Sequence, residues 1–209
     1  MTQQSFSMSQ SPRVVIRNLQ GNLTVRPWQE MVINVRVAED TSIAAQLYQE
    51  GDTVYINGAE RDLELTVPYI KKGFLGTATV STDISVADAS GAVTMENVGN
   101  VELMNIGRDV DLTKVEKSLH ATNIATLRER KGVGGDALLS NVGHADIGAV
   151  GGSANVQHIG VVMMGAVGGS LKGERIGELL RCGAIGGSCT VLDSMSAEIA
   201  VSNVGGSLT

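Results

Sequence analysis

Aromatic side chains make up only 3% of the 209 residues. Nucleic-acid stacking platforms need more of them, and so does a conventional globular core. Proline is scarce, at 3 residues, while glycine reaches 26. Disordered linkers usually enrich both, so the glycines belong at turns. Lys and Arg are not clustered and the net charge is −6, which excludes a duplex-binding groove. No run of 18 apolar residues appears, so no apolar helix is expected to cross a membrane. The two cysteines, Cys182 and Cys189, are not paired by their spacing alone. Met1 is followed by polar residues rather than an apolar signal core. The chain as given therefore reads as cytoplasmic and reduced; a signal removed from it would instead place it outside the cell or on its surface.

What the sequence does have is a repeat. Val150-Gly151-Gly152-Ser153, Val167-Gly168-Gly169-Ser170, Ile185-Gly186-Gly187-Ser188 and Val204-Gly205-Gly206-Ser207 recur at spacings of 17, 18 and 19, with Val133-Gly134-Gly135-Asp136 one unit upstream. Val142-Gly143, Ile159-Gly160 and Ile176-Gly177 fall between them, so the finer period is 8 to 10 residues. Thirteen aliphatic or Met anchors follow: Val98, Ile106, Val115, Ile124, Val133, Val142, Val150, Ile159, Val167, Ile176, Ile185, Met195 and Val204. Of the 26 residues five and three before an anchor, 22 are apolar; the exceptions are Arg128, Arg130, Gly173 and Thr190.

Two apolar residues two apart face one side of a strand. The shift to three before the anchor marks a corner, and the following glycine suggests a backbone conformation closed to bulkier residues. Helical spacing does not persist, and a glycine every nine residues would cost a helix about 1 kcal/mol each. A second glycine at alternate corners makes the corners unlike. The expected fold is therefore all-β: a two-sided parallel β-solenoid of 17–18 residues per coil over residues 90–209. A three-faced coil fits the nine-residue half-period less well.

Residues 12–89 read as a less regular, β-rich cap or subdomain. Its strands are expected at Arg13–Leu19, Gly21–Arg26, Met31–Ala38, Thr53–Asn57 and Asp62–Val67, with Pro68 ending the last. Residues 1–11, polar and rich in Ser and Gln, read as a loose tail.

The repeats of Ser90-Gly91-Ala92-Val93-Thr94-Met95 type, following Leu-x-Leu-x-Val-Pro at Leu63–Pro68, resemble the bacterial putative-adhesin family of unknown function, whose members are predicted β-solenoids. The resemblance covers residues 12–209 and implies a surface-binding role. The coil size also resembles that of bactofilins, which polymerise end to end, although these usually lack so long a non-repetitive N-terminal region.

Few residues point to chemistry. Asp111, Glu129 and Asp146 each stand four before an anchor, and in register they would stack as a shallow cation site, as the acid cluster of a polysaccharide-cleaving β-helix or, more plainly, as a solvated face. Glu129 fits worst, because its neighbours Arg128 and Arg130 would then point into the core; the run 128–131 is expected to bulge outward. Asn105, Asn123 and Asn141 recur one residue before alternate anchors, as an amide ladder would require. His120, His144 and His158 occupy three different repeat positions and share no column. Cys182 falls at an inward position; Cys189, beside a corner, is harder to place. Gly165–Gly169 lacks the Gly-Lys-Ser/Thr ending of a phosphate loop.

No catalytic residue and no cofactor is therefore expected. The expected function is a non-catalytic structural module that self-assembles through solenoid ends or sides, Val204 and Leu208 carrying the contact. The alternative is an adhesin-like surface domain binding a polymer or glycan.

Overall fold

A computed structural model describes residues 2–37, 46–71, 79–194 and 197–209. Among these there is no helix. The chain is a parallel β-solenoid whose strands enclose one continuous apolar core, from Phe6 to Cys189.

Seven turns stack in sequence order. The first pairs β9 (Asp83–Ala89) with β10 (Val93–Met95) on its two sides, and the second β11 (Val101–Ile106) with β12 (Val110–Leu112). Then β13 (Leu119–Glu129), β14 (Ala137–Ile147), β15 (Ala154–Met164) and β16 (Leu171–Ile185) each serve both sides of one turn. The last turn is β17 (Cys189–Leu192) with β18 (Glu198–Val204). Eleven of the thirteen anchors are buried; Val204 is partly buried, and Met195 lies outside the described residues.

The two corners solve different problems. In one, the residue before the anchor has positive φ: Asn105, Asn123, Asn141, His158 and Arg175, all between 53° and 55° or at 56°. Asn tolerates this conformation better than most residues. The expected amide ladder is present there: Asn141 Nδ2 donates to Asn123 Oδ1 (2.6 Å), Asn123 to Asn105 (2.7 Å) and Asn105 to Asp88 Oδ1 (2.7 Å).

In the other corner the reason for glycine differs from the one expected. None of Gly134, Gly151, Gly168 and Gly186 has positive φ; instead, a Cβ on any of them would overlap the backbone carbonyl of the preceding turn. The close stacking of turns, rather than an unusual dihedral, excludes a side chain there. The serine ending this corner also has a bonding role. Ser153, Ser170 and Ser188 Oγ each accept the amide N–H of the equivalent serine one turn on, at 3.1–3.2 Å.

Three of the four departures from the repeat, Arg128, Arg130 and Thr190, are register effects. Leu127 and Glu129, not Arg128 and Arg130, point inward, because Gly132 (φ 104°) adds one residue to that corner. Likewise Cys189 is buried and Val191 partly so, while Leu192 is exposed. The inward register there runs one residue earlier than expected.

The N-terminal region departs most from expectation. Residues 2–7 form β1 (Thr2–Ser7) rather than a loose tail, and Phe6 and Met8 are buried. The region adds β2 (Arg13–Leu19), β3 (Leu23–Trp28), β4 (Val32–Val37), β5 (Gln46–Glu50), β6 (Thr53–Asn57), β7 (Leu63–Ile70) and β8 (Val80–Ser81). Pro68 does not end β7, which continues to Ile70 and pairs with β8 through Tyr69 and Ser81. β2 and β3 form a parallel turn directly beneath β9 and β10, and β6 and β7 form another beneath that. Axial order is thus inverted against sequence order. Antiparallel strands close this end: β5 on β6, β4 on β7, and β1 on β4.

The two roles of glycine separate by mutation. Gly151→Ala should destabilise by about 2 kcal/mol or more, since the clash is with backbone. Gly173 faces inward, and a Cβ there would meet Ile176, Leu180 and Val156 at 3.7 Å, ordinary contact distance. Gly173→Ala should stabilise by about 0.4–1 kcal/mol. Thermal melts of the two variants check both; equal damage would refute the steric account.

Candidate functional site

The acidic column does not exist as expected. Backbone register places Asp111 beside Arg128 and Arg128 beside Asp146, so an arginine separates the two carboxylates. Asp111 is also gripped by Arg130 through two bonds, one from Nε to Oδ1 at 3.0 Å and a second from the guanidinium to Oδ2. No group of three or more potential metal-binding His, Cys, Asp or Glu side chains occurs among the described residues.

Glu129 is instead 2% exposed, in the inward column between Leu112 and Ile147. Its carboxylate accepts the N–H of Lys131 (3.1 Å) and of Gly132 (2.6 Å), and so ties down the residue inserted in that corner. Burial pushes its carboxyl above the usual range, and the backbone N–H groups only partly offset this.

The histidines remain in separate columns. His120 lies beside Glu102 and Leu138, His144 beside Thr126 and Val161, and His158 in the positive-φ corner, where Arg175 donates to its Nε2 at 3.0 Å. Cys182 and Cys189 are both buried, free thiols; burial pushes Cys182 up to about 11, with Cys189 adding to the shift. Neither is poised as a nucleophile at neutral pH.

A feature that repeat analysis did not single out lies on the N-terminal part of one sheet. β6, β2, β9 and β11 are adjacent there. Outward side chains from these strands enclose a shallow depression of about 280 Å³. Ser85 and Ala87 form its floor, Arg13, Arg17 and Tyr55 one wall, and Glu102 and Met104 the other. Small floor residues between longer ones on both sides create the hollow. Tyr55 is itself stacked on Tyr48 across the β5–β6 hairpin, ring centroids 4.8 Å apart. A second hollow of about 490 Å³ continues toward His120 and Leu138. At its edge, burial alone would raise the Asp83 carboxyl, but bonds from Asn100 and the Lys117 ammonium (3.0 Å) outweigh it and hold it below the usual range. The alternation Thr53-x-Tyr55-x-Asn57 could have signalled the outward tyrosine; nothing local shows that β2 lies between β6 and β9.

The other notable surface is the last turn. Ile199 is in register with buried Leu180 yet is 44% exposed, and Leu208 is 67% exposed. Val201 and Val204 are only partly buried. The expected assembly residues both lie at this end: Val204 is partly buried on Ile185, and Leu208, bridged to Cys189, is exposed.

No protein-family model matches the chain, and no curated protein is significantly similar to it in sequence. No helix among the described residues is long and apolar enough to cross a membrane.

Two tests follow from the acidic residues. With Arg128 between Asp111 and Asp146, millimolar calcium should leave the melting temperature unchanged; a rise of several degrees that D111N/D146N abolishes would restore the cation site. For Glu129, folding favours the protonated carboxyl. Its stabilising contribution is therefore full below the unfolded pKa and is lost as pH rises through the folded one. The stability of the wild type minus that of Glu129→Gln, from urea unfolding between pH 4 and 8, should fall as pH rises. A flat or rising difference would mean that the backbone bonds dominate burial.

Proposed function

We propose that this chain is a non-catalytic structural module that self-assembles through its last turn. The supporting observation is the difference between the two ends. At the N-terminal end, Phe6 and Met8 are buried and Leu47 packs against the core, beneath antiparallel strands whose outward residues are mainly polar. At the other end, β17 is paired by residues 207–209, whereas β18 has no neighbour beyond it among the described residues, and Ile199 and Leu208 stand exposed. An open strand edge over an apolar layer favours docking.

The covered N-terminal end disfavours head-to-tail growth. Two last turns meeting about a two-fold axis bring identical edges together antiparallel and close the contact as a dimer. This scaffold role needs neither a cofactor nor a reacting group. An adhesin-like role in binding a polymer is the second reading, supported by the depression between β2 and β11.

Sedimentation velocity of the 209-residue chain should show a concentration-dependent dimer. Val204→Lys with Leu208→Glu should give a folded monomer with an unchanged β circular dichroism spectrum. A wild type that stays monomeric at high concentration would overturn self-assembly and point to some other cover for this edge.

A further inference from the structure

We infer that the depression between β2 and β11 binds an acidic polysaccharide, through a uronate carboxylate held by Arg13 and Arg17. Neither guanidinium has a side-chain hydrogen bond or ion pair among the described residues. This occurs on a chain of net charge −6, where acids outnumber bases 22 to 16. The neighbouring carboxylate in the same column, Asp83, is already held by Lys117 and Asn100.

Position supplies the second element. Arg13 and Arg17 flank Val15 on one face of β2, and their Cα atoms are about 13 Å apart by strand rise. Both line the wall above the Ser85 and Ala87 floor. Two long side chains over a small-residue floor can converge on one carboxylate or grip two along a chain. Guanidinium groups suit planar carboxylates through paired N–H donors.

The other walls select the rest of the ligand. Tyr55, backed by the Tyr48 ring, gives an apolar face with a polar edge, as a sugar ring presents. Met104, 43% exposed, offers an adaptable apolar contact opposite. Glu102, which accepts from Ser85 Oγ at 3.2 Å, would repel a bare anion but accept hydroxyl groups. A ligand must therefore be anionic over β2, rich in hydroxyls toward β11, and present a ring face toward Tyr55 on β6. A uronate-containing polymer meets all three conditions; a simple inorganic anion meets one. The second hollow extends the track across β13 and β14, so neighbouring sugars have somewhere to lie.

The test uses the intact chain and defined tetrasaccharides of galacturonate, guluronate and hyaluronate, with cellotetraose and dextran sulfate as comparisons. Calorimetric titration should show binding to at least one uronate and none to cellotetraose. Arg13→Ala with Arg17→Ala, and Tyr55→Ala alone, should each weaken that binding by about tenfold or more. Arg181→Ala, on the opposite sheet, should leave it unchanged. Melting temperatures of the variants distinguish lost binding from lost fold, and Arg17→Lys provides a milder variant if the double change unfolds. The inference fails if no uronate binds, if the arginine variants bind normally, or if dextran sulfate binds as tightly and Tyr55→Ala does not matter. It does not depend on self-assembly: the dimer-breaking changes at the last turn should leave uronate affinity intact.

Discussion

The distance between stacked turns governs this molecule. Parallel backbone bonding holds neighbouring strands about 4.8 Å apart, and here the pairing continues through the corners. Val98, Val115, Val133, Val150, Val167 and Ile185 are bridged to one another in succession. Each residue therefore sits about 4.8 Å from its equivalents above and below. A corner that pairs so tightly has no room for Cβ atoms facing the carbonyls of the next turn, and glycine follows from that spacing. The opposite corner meets the same spacing with a left-handed residue whose side chain bonds along the column.

The spacing also decides which columns can exist. Two like charges that far apart in water repel by about 1 kcal/mol, and more where solvent is excluded. A stack of carboxylates would add this cost at every turn. The observed sequence of Asp111, Arg128 and Asp146 turns repulsion into attraction. Amides and hydroxyls carry no such penalty, since each can donate to one neighbour and accept from another. This accounts for Asn in one corner and Ser in the other as columns several turns long, whereas charged residues alternate or stand alone.

This also explains what could be read from the sequence. Apolar alternation and a near-constant period are local signals, and they placed the two-sided coil, eleven buried anchors and the Asn ladder correctly. The misplacement of Glu129 has one cause. Counting backward from Val133 assumes a fixed corner length, and Gly132 adds a residue. Leu127 carried the correct register but was skipped by the count. Glycine was read as a dihedral requirement because its usual role is local, while the actual clash is with a residue 17 or 18 positions away. The depression at Arg13, Arg17 and Tyr55 was not legible, because β2 and β9 are far apart in sequence and no repeat links them.

The inverted order of the first turns has a physical consequence for growth of the stack. Had β2 and β3 formed the outermost turn, their own edge would have been left as open as that of the last turn. Placing β6 and β7 beneath them fills that edge. The antiparallel returns β4 and β5 then change strand direction, so a new parallel turn no longer finds its partner in register. Asp52 fastens the N-terminal segment beside this closure: it accepts the N–H groups of Ser9, Gln10 and Ser11 and the Ser9 hydroxyl, and these bonds hold its carboxyl well below the usual range. A change of strand direction, with Phe6 and Met8 covering the core, caps the stack without a helix. At β17 and β18 the strand direction does not change, and Ile199 and Leu208 are exposed.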